Sequence, residues 1–427
     1  KEMDTRKKND SETLQDEMLA NFNNPEKMEK LYRQNKVAFK QEFSLVYPQL
    51  KSNPLAGFWQ ERLDYDADTI SWGSRNDLLF VALASLLAGL LAKIPAIFSI
   101  SEDYYFPRNI SFIVFPFLIA YFVRKNKIPL GIIAFLSGII AICMIYINVL
   151  PDNTNSDTLI LVCIHLPFLL WALFSIAFSG NELNKCSKRL EFLRFNGDQF
   201  VMSALLVAAG GLMTGITLGL FELIGVEIQK FYGDYVIVFG LAAVPVIATH
   251  LTHTNPQLVS KVSPVIARLF SPVVLVMLVI YLGAIIIAGK DPYNDREFLL
   301  IFNALLIGVM ALIFFSVAES AHKKELSSTT WILLLLSVVT IAVNGIALSA
   351  IVFRISEWGL TPNRLAVLGS NVLMLGHLLF VTAKLFKTLT KKGTLNDVGS
   401  AVVLYMPVYI LWVLVVVFIF PLVFGFK

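Results

Sequence analysis

From residue 77 onward the chain is a succession of long apolar runs separated by short polar breaks, and a membrane helix needs about 20 mainly apolar residues. Eleven runs meet that length: 77–100, 106–123, 128–150, 158–180, 199–225, 232–250, 264–289, 298–319, 330–352, 362–384 and 400–424. They predict an all-α, polytopic transmembrane helical bundle of about eleven spans over 77–427. The first two runs are the least regular. Lys93 interrupts the first, and Pro107 and Pro116 punctuate the second, so a re-entrant or tilted course is open for one of them.

The pattern before residue 77 is different. Residues 1–23 are charged and short of large apolar groups, which predicts a disordered leader. Asn24 and Pro25 then make an N-cap and first-turn pair, followed by Met28, Leu31, Tyr32, Phe39, Phe43, Val46 and Tyr47 at helical spacing until Pro48. Asn53 and Pro54 repeat the start signal before Leu55, Phe58, Trp59 and Leu63. Residues 24–76 therefore predict a small amphipathic helical module. It has three places to bury its apolar face: on itself, on the membrane region, or on a protein partner.

Composition agrees with the pattern. Of 427 residues 56% are hydrophobic and 15% charged, with a mean hydropathy of +0.69, far more apolar than a soluble domain. A net charge of +4 with no large basic block excludes nucleic acid as a partner. Cys143, Cys163 and Cys186 form no C-x-x-C pattern, so neither a disulfide framework nor a thiolate zinc site is implied, and no cofactor is.

Charge sets the expected orientation, because Lys and Arg are retained in cytoplasmic loops. No signal peptide opens the chain, so the hydrophilic head is expected to stay on the side of synthesis. With the head inside, fourteen Lys and Arg fall in inner loops and seven in outer ones, and the loop 151–157 carries none. The reading is a membrane protein surrounded by lipid, with its amino end cytoplasmic and its carboxyl end outside; the family resemblance below implies a bacterial inner membrane.

Ionisable groups inside a bilayer are costly and point to function. Glu222 follows Gly211, Gly215 and Gly219, a ladder of small residues suited to close helix packing, and would either enter the bundle as a proton or cation site or reach interfacial water. His250 and His253 end one span while Glu319 and His322 end another, on the same side, and would make a metal or proton-sensing set if those spans touch. His165 and His377 lie alone in apolar runs, where a hydrogen bond to a neighbouring helix accounts for them. Between two later spans, Gly359, Thr361 and Pro362 read as a C-cap, an N-cap and a first-turn residue of a tight corner. Arg354 and Glu357 are spaced to pair on one turn, and Arg364 is placed to pair with Glu357, bind lipid phosphate or receive an anionic substrate.

The segment Arg354-Ile-Ser-Glu-Trp-Gly-Leu-Thr-Pro-Asn-Arg364 resembles the signature corner of the bacterial membrane proteins grouped as the domain of unknown function 4153 family. The stretch Tyr105-Phe-Pro-Arg-Asn-Ile-Ser-Phe-Ile-Val-Phe-Pro116 is similar to the charged start of an early span in those proteins. The resemblance covers about residues 77–427; it implies a polytopic fold and carries over no catalytic residue. Arg108, Asn109, Arg354, Glu357, Gly359, Thr361, Pro362, Asn363 and Arg364 are the matching positions. Arg108 and the corner both fall on the outer side of the charge-derived topology, where they would form one polar patch if they meet.

Phosphate loops, zinc-binding H-E-x-x-H pairs, nucleophile elbows and dinucleotide turns are all absent. Three readings follow. The first is a protein that transports or binds a small solute or lipid, with prolines at 116, 167, 245, 272 and 407 freeing backbone groups near a substrate. The second is a sensor or assembly partner whose output is the head. The third is an enzyme acting on a lipid-linked substrate at the outer patch.

Overall fold

The computed structural model describes residues 14–426 apart from 35, 51–52, 65–71, 154–155, 224–225, 261, 289–292, 294–295 and 321–327. Every regular element among the described residues is helical, and the chain divides into two units, Lys1–Ile70 and Ser71–Lys427, ahead of the boundary expected at residue 76.

The head unit holds α1 (residues 14–21), α2 (Pro25–Gln34), α3 (Lys36–Leu50) and α4 (Pro54–Asp64). Its start signals work as the sequence implies: Asn24 Oδ1 accepts from the Lys27 amide at 3.2 Å and Asn53 Oδ1 from the Leu55 amide at 3.0 Å. The leader expected up to residue 23 is corrected, because α1 delivers Met18 and Phe22 to the same core as Met28, Phe39, Phe43 and Trp59. The stop expected at Pro48 is also corrected. Proline has a helix-compatible φ and removes a single bond, so α3 runs two residues past it. Glu29 joins α2 to α4, bonding Arg33 at 2.8 Å and Arg62 at 2.9 Å, while Arg62 lies over the rings of Tyr32 and Trp59.

The second unit carries ten helices long and apolar enough to cross a membrane among the described residues. They are α5 (Arg75–Phe98), α6 (Glu102–Lys125), α7 (Leu130–Val149), α8 (Asp157–Ser179), α9 (Cys186–Leu223), α10 (Gln229–Thr254), α12 (Arg296–Ser320), α13 (Ser328–Trp358), α14 (Pro362–Leu389) and α15 (Leu395–Val423). The run expected at 264–289 is α11 (Ser263–Ala288), whose described apolar stretch, Val265–Ile280, is shorter than a crossing. Neither early span is interrupted. α5 and α6 are continuous helices of 24 residues, and Lys93 places its ammonium 4.7 Å from the centre of the Tyr235 ring. α9 starts thirteen residues before the expected 199, so Lys188, Arg189 and Arg194 belong to a helix and not to a loop.

Two apolar cores organise this unit. The first joins α5–α8, the early part of α9, Val246 of α10 and the later part of α15; Phe122 sits within it, against Phe174, Phe178 and Phe195 at centroid distances of 4.9 to 5.7 Å. The second is built by α11–α15. Close helix approach uses isolated glycines that each receive an aromatic ring. A Cβ added at Gly89, Gly197 or Gly369 would lie 2.1 to 2.2 Å from Phe239, Phe315 or Trp412. The ladder Gly211, Gly215 and Gly219 has nothing within 4 Å, so the packing expected of it is not made with any described part of this chain.

Prolines inside these helices leave carbonyls without their usual donor four residues on, and tyrosines supply two of them. Pro95 withholds a donor from Leu91, whose carbonyl accepts from Tyr105 at 2.9 Å; Pro421 withholds one from Val417, whose carbonyl accepts from Tyr146 at 2.9 Å. The helices therefore continue through proline and do not break.

Charge in the head and packing in the membrane unit each yield a test. Glu29 is held below the ordinary carboxylate value, chiefly by the Arg33 hydrogen bond, with the Arg62 charge adding to it. A depressed folded pKa gives stability that is present above the unfolded value of about 4.3 and is lost as pH falls through the folded one. Hydrogen exchange in α2 and α4 of the whole chain should be faster in Glu29→Gln at pH 7, by an amount on the order of 0.5 kcal/mol because both arginines are well exposed. The difference should shrink once pH falls below the unfolded value and vanish below the folded one; a difference independent of pH through the acid range would refute the clamp. In the membrane unit, Gly197→Ala should cost about 1–3 kcal/mol and lower the melting temperature in detergent, whereas Gly215→Ala should leave it unchanged. The reverse order would show that the ladder is the tighter contact.

Candidate functional site

Most residues singled out in the sequence are engaged locally. Glu222 is exposed at the last turn of α9, away from both buried cores, so its entry into the bundle is corrected. Arg364 donates to the carbonyls of Trp358 and Gly359 at 2.7 and 2.6 Å, closing the end of α13, and makes no ion pair with Glu357 among the described residues. The corner itself is as read: Gly359 has φ +76, and Thr361 Oγ1 accepts from the Arg364 amide at 3.3 Å. Arg354 lies over the Trp358 ring at 5.0 Å, and Glu357 is exposed. Arg108 is buried, and its contacts are with Tyr104, Pro151 and Asp152. None reaches the corner, so the single outer patch is not formed.

The histidine set is dispersed as well. His250 and His253 meet through Tyr121, whose hydroxyl is 3.2 and 3.3 Å from their Nδ1 atoms, and His250 Nε2 is 3.1 Å from the Trp72 carbonyl. Glu319 instead accepts from Arg194 of α9 at 2.7 Å, and His322 lies outside the described residues. Among the described residues no group of three metal-binding side chains exists. An open cleft of about 750 Å³ lies between Leu360–Pro362 and Val423–Gly425, with Asp157 on its wall. It holds no second acid or base, and none of the four outer-patch residues lines it.

A different set assembles inside the second core, where α12, α13, α14 and α15 each bring polar or aromatic groups to one depth. The Thr382 and Ser337 hydroxyl oxygens lie 3.0 Å apart, which sets α13 against α14. Asn344, seven residues beyond Ser337, thereby stands level with position 375, seven before Thr382, between Asn371 and His377. Asn344 and His377 each lie roughly 20 Å along their helices from the corner, near mid-bilayer depth. All three side chains are fully buried.

Their bonding is incomplete. Asn371 donates to Asn303 of α12 at 2.8 Å, but its Oδ1 has no partner. His377 Nδ1 is 3.2 Å from the Tyr409 hydroxyl, and the ring is stacked on Tyr405 and packed against Phe314, both at 4.5 Å. Its Nε2 has no bonded partner, although the backbones of Ala401 and Val402 are close to the ring. Neither Nδ2 nor Oδ1 of Asn344 is hydrogen-bonded. Each buried polar group left in that state costs about 1–3 kcal/mol, and more where lipid replaces water. Asn344, Asn371 and His377 thus leave unbonded donor and acceptor atoms buried along about 9 Å of α13 and α14. The sequence reading singled out His377, whose bond to a neighbouring helix is met by Tyr409, but passed over Asn344 and Asn371. The available signal was an amide or imidazole at mid-span, at 344, 371 and 377.

Compared with family models, with curated proteins and with solved structures, the chain has no match. The resemblance of its two motifs accordingly stands on those motifs alone.

Proposed function

We propose that this chain is a polytopic protein of the bacterial inner membrane, related to the domain of unknown function 4153 proteins, that binds a small uncharged polar solute within its second helical core and passes it across the bilayer. Asn344 carries the reading. Both ends of its amide are unbonded in a fully buried position at mid-depth, which is where alternating-access proteins hold their substrates. Asn371 Oδ1 and His377 Nε2 add an acceptor and a second ring nitrogen within about 6 Å along the neighbouring helix. An uncharged solute fits because no carboxylate, lysine or arginine belongs to the cluster. The loop charges support a cytoplasmic head and an outer carboxyl end, with α11 as an eleventh span.

A protein partner on the head is the second reading. It rests on Leu45 and Phe58, large apolar side chains left exposed there.

Replacing Asn344 by Leu removes two unbonded polar ends at similar volume, so the variant should melt higher than the wild type, by about 1–3 kcal/mol. Asn344→Cys, in a chain lacking Cys143, Cys163 and Cys186, should react with a water-soluble thiosulfonate reagent, while Leu336→Cys on the same helix should not. A lower melting temperature for Asn344→Leu together with an unreactive thiol in Asn344→Cys would remove the basis for the site.

A further inference from the structure

The first core contains a separate anomaly at Arg108, independent of the solute cluster. Its side chain is 3% exposed, on α6, six residues from the outer end of that helix and so roughly 9 Å along it. A guanidinium cannot shed its charge and offers five donors in a rigid fork. Buried, it is normally met by a carboxylate or phosphate at about 2.7–2.9 Å. Here the fork is poorly filled. Nη2 alone reaches partners, the Pro151 carbonyl and Asp152 Oδ1, each at 3.4 Å. Nε is buried with no partner, and the face of the guanidinium rests on the Tyr104 ring at 4.1 Å.

The surroundings are rigid, while the acidic partner is not buried. Asn109 and Asn148 exchange two amide bonds at 3.0 and 2.9 Å, and the Tyr104 hydroxyl donates to the Asn148 carbonyl at 3.2 Å, which clamps α6 to α7 beside the arginine. Asp152, by contrast, is 60% exposed and touches the guanidinium through one oxygen. A loose contact of that kind exchanges readily with a better acceptor.

We propose that Arg108 is the receptor for a phosphate group, and that Asp152 occupies its place when none is bound. The ligand oxygens would take Nη2 and the neighbouring edge of the fork, and the Asp152 carboxylate would turn to water. At this depth the phosphate can come from an anionic lipid headgroup or from free phosphate in the medium; the recognition chemistry is the same.

The test uses the whole chain in nanodiscs and reads the melting temperature. In phosphatidylcholine discs, inorganic phosphate should raise it relative to chloride at equal ionic strength if the source is free phosphate. Phosphatidylglycerol discs should raise it without added phosphate if the source is a headgroup. Asp152→Asn removes the competing carboxylate, so half of the shift should be reached at a phosphate or anionic-lipid level about fivefold lower. Arg108→Lys keeps the charge and loses the fork, and should show no shift. Failure of both sources to shift the wild type and Asp152→Asn would overturn the proposal, whether or not Arg108→Lys folds. An unaltered response in a folded Arg108→Lys would overturn it equally.

Discussion

In a bilayer core no water is at hand to satisfy a stray backbone or side-chain group, so every polar atom must find its partner inside the protein. Much of this structure can be read as compliance with that demand. Asn109 and Asn148 satisfy one another, Ser271 meets Ser316 at 3.1 Å, and Thr340 and Thr382 return their hydroxyls to carbonyls one turn back at 2.6 Å. The prolines show the rule most directly. Each removes a donor at a known place, and at Leu91 and Val417 a tyrosine from another helix supplies the missing bond. The same two bonds tie α5 to α6 and α7 to α15, so a local defect becomes an inter-helix contact.

Against that background the exceptions carry information. Asn344 could have been leucine at similar volume and lower cost, as its neighbours Val343 and Ala347 are apolar and fully buried. Arg108 could have met a carboxylate squarely, since Asp152 is already in range. One leaves a neutral amide unbonded and the other holds a charge loosely. These are different chemistries in different cores, which argues against a single pathway joining them.

Span positions were legible because apolar length is a strong signal, and the Gly359 corner was legible because each of its residues has a conformational reason to be there. What the residues do beyond their own segment was less so. Lys188, Arg189 and Arg194 looked like loop because hydropathy falls there, yet Arg194 can extend α9 because Glu319 of α12 receives its charge. The glycine ladder looked like an interface because small residues permit close approach; permission is not contact, and the approach occurs at Gly89, Gly197 and Gly369, where a particular ring fills the gap. Asn344 and Asn371 escaped notice because they are uncharged and lie on two helices whose register only the fold supplies.

The two cores are not independent mechanically. α15 places Val398, Ala401 and Val402 in the second and Val413 and Val417 in the first, with Tyr405 and Tyr409 against His377 between them. Just beyond lies a wide π-helical turn, Val415–Ile419, a rare departure from α-helix. Tyr146 holds that turn from α7, at the carbonyl which Pro421 leaves free. Through Tyr409, His377 therefore bears on a helix that both cores share.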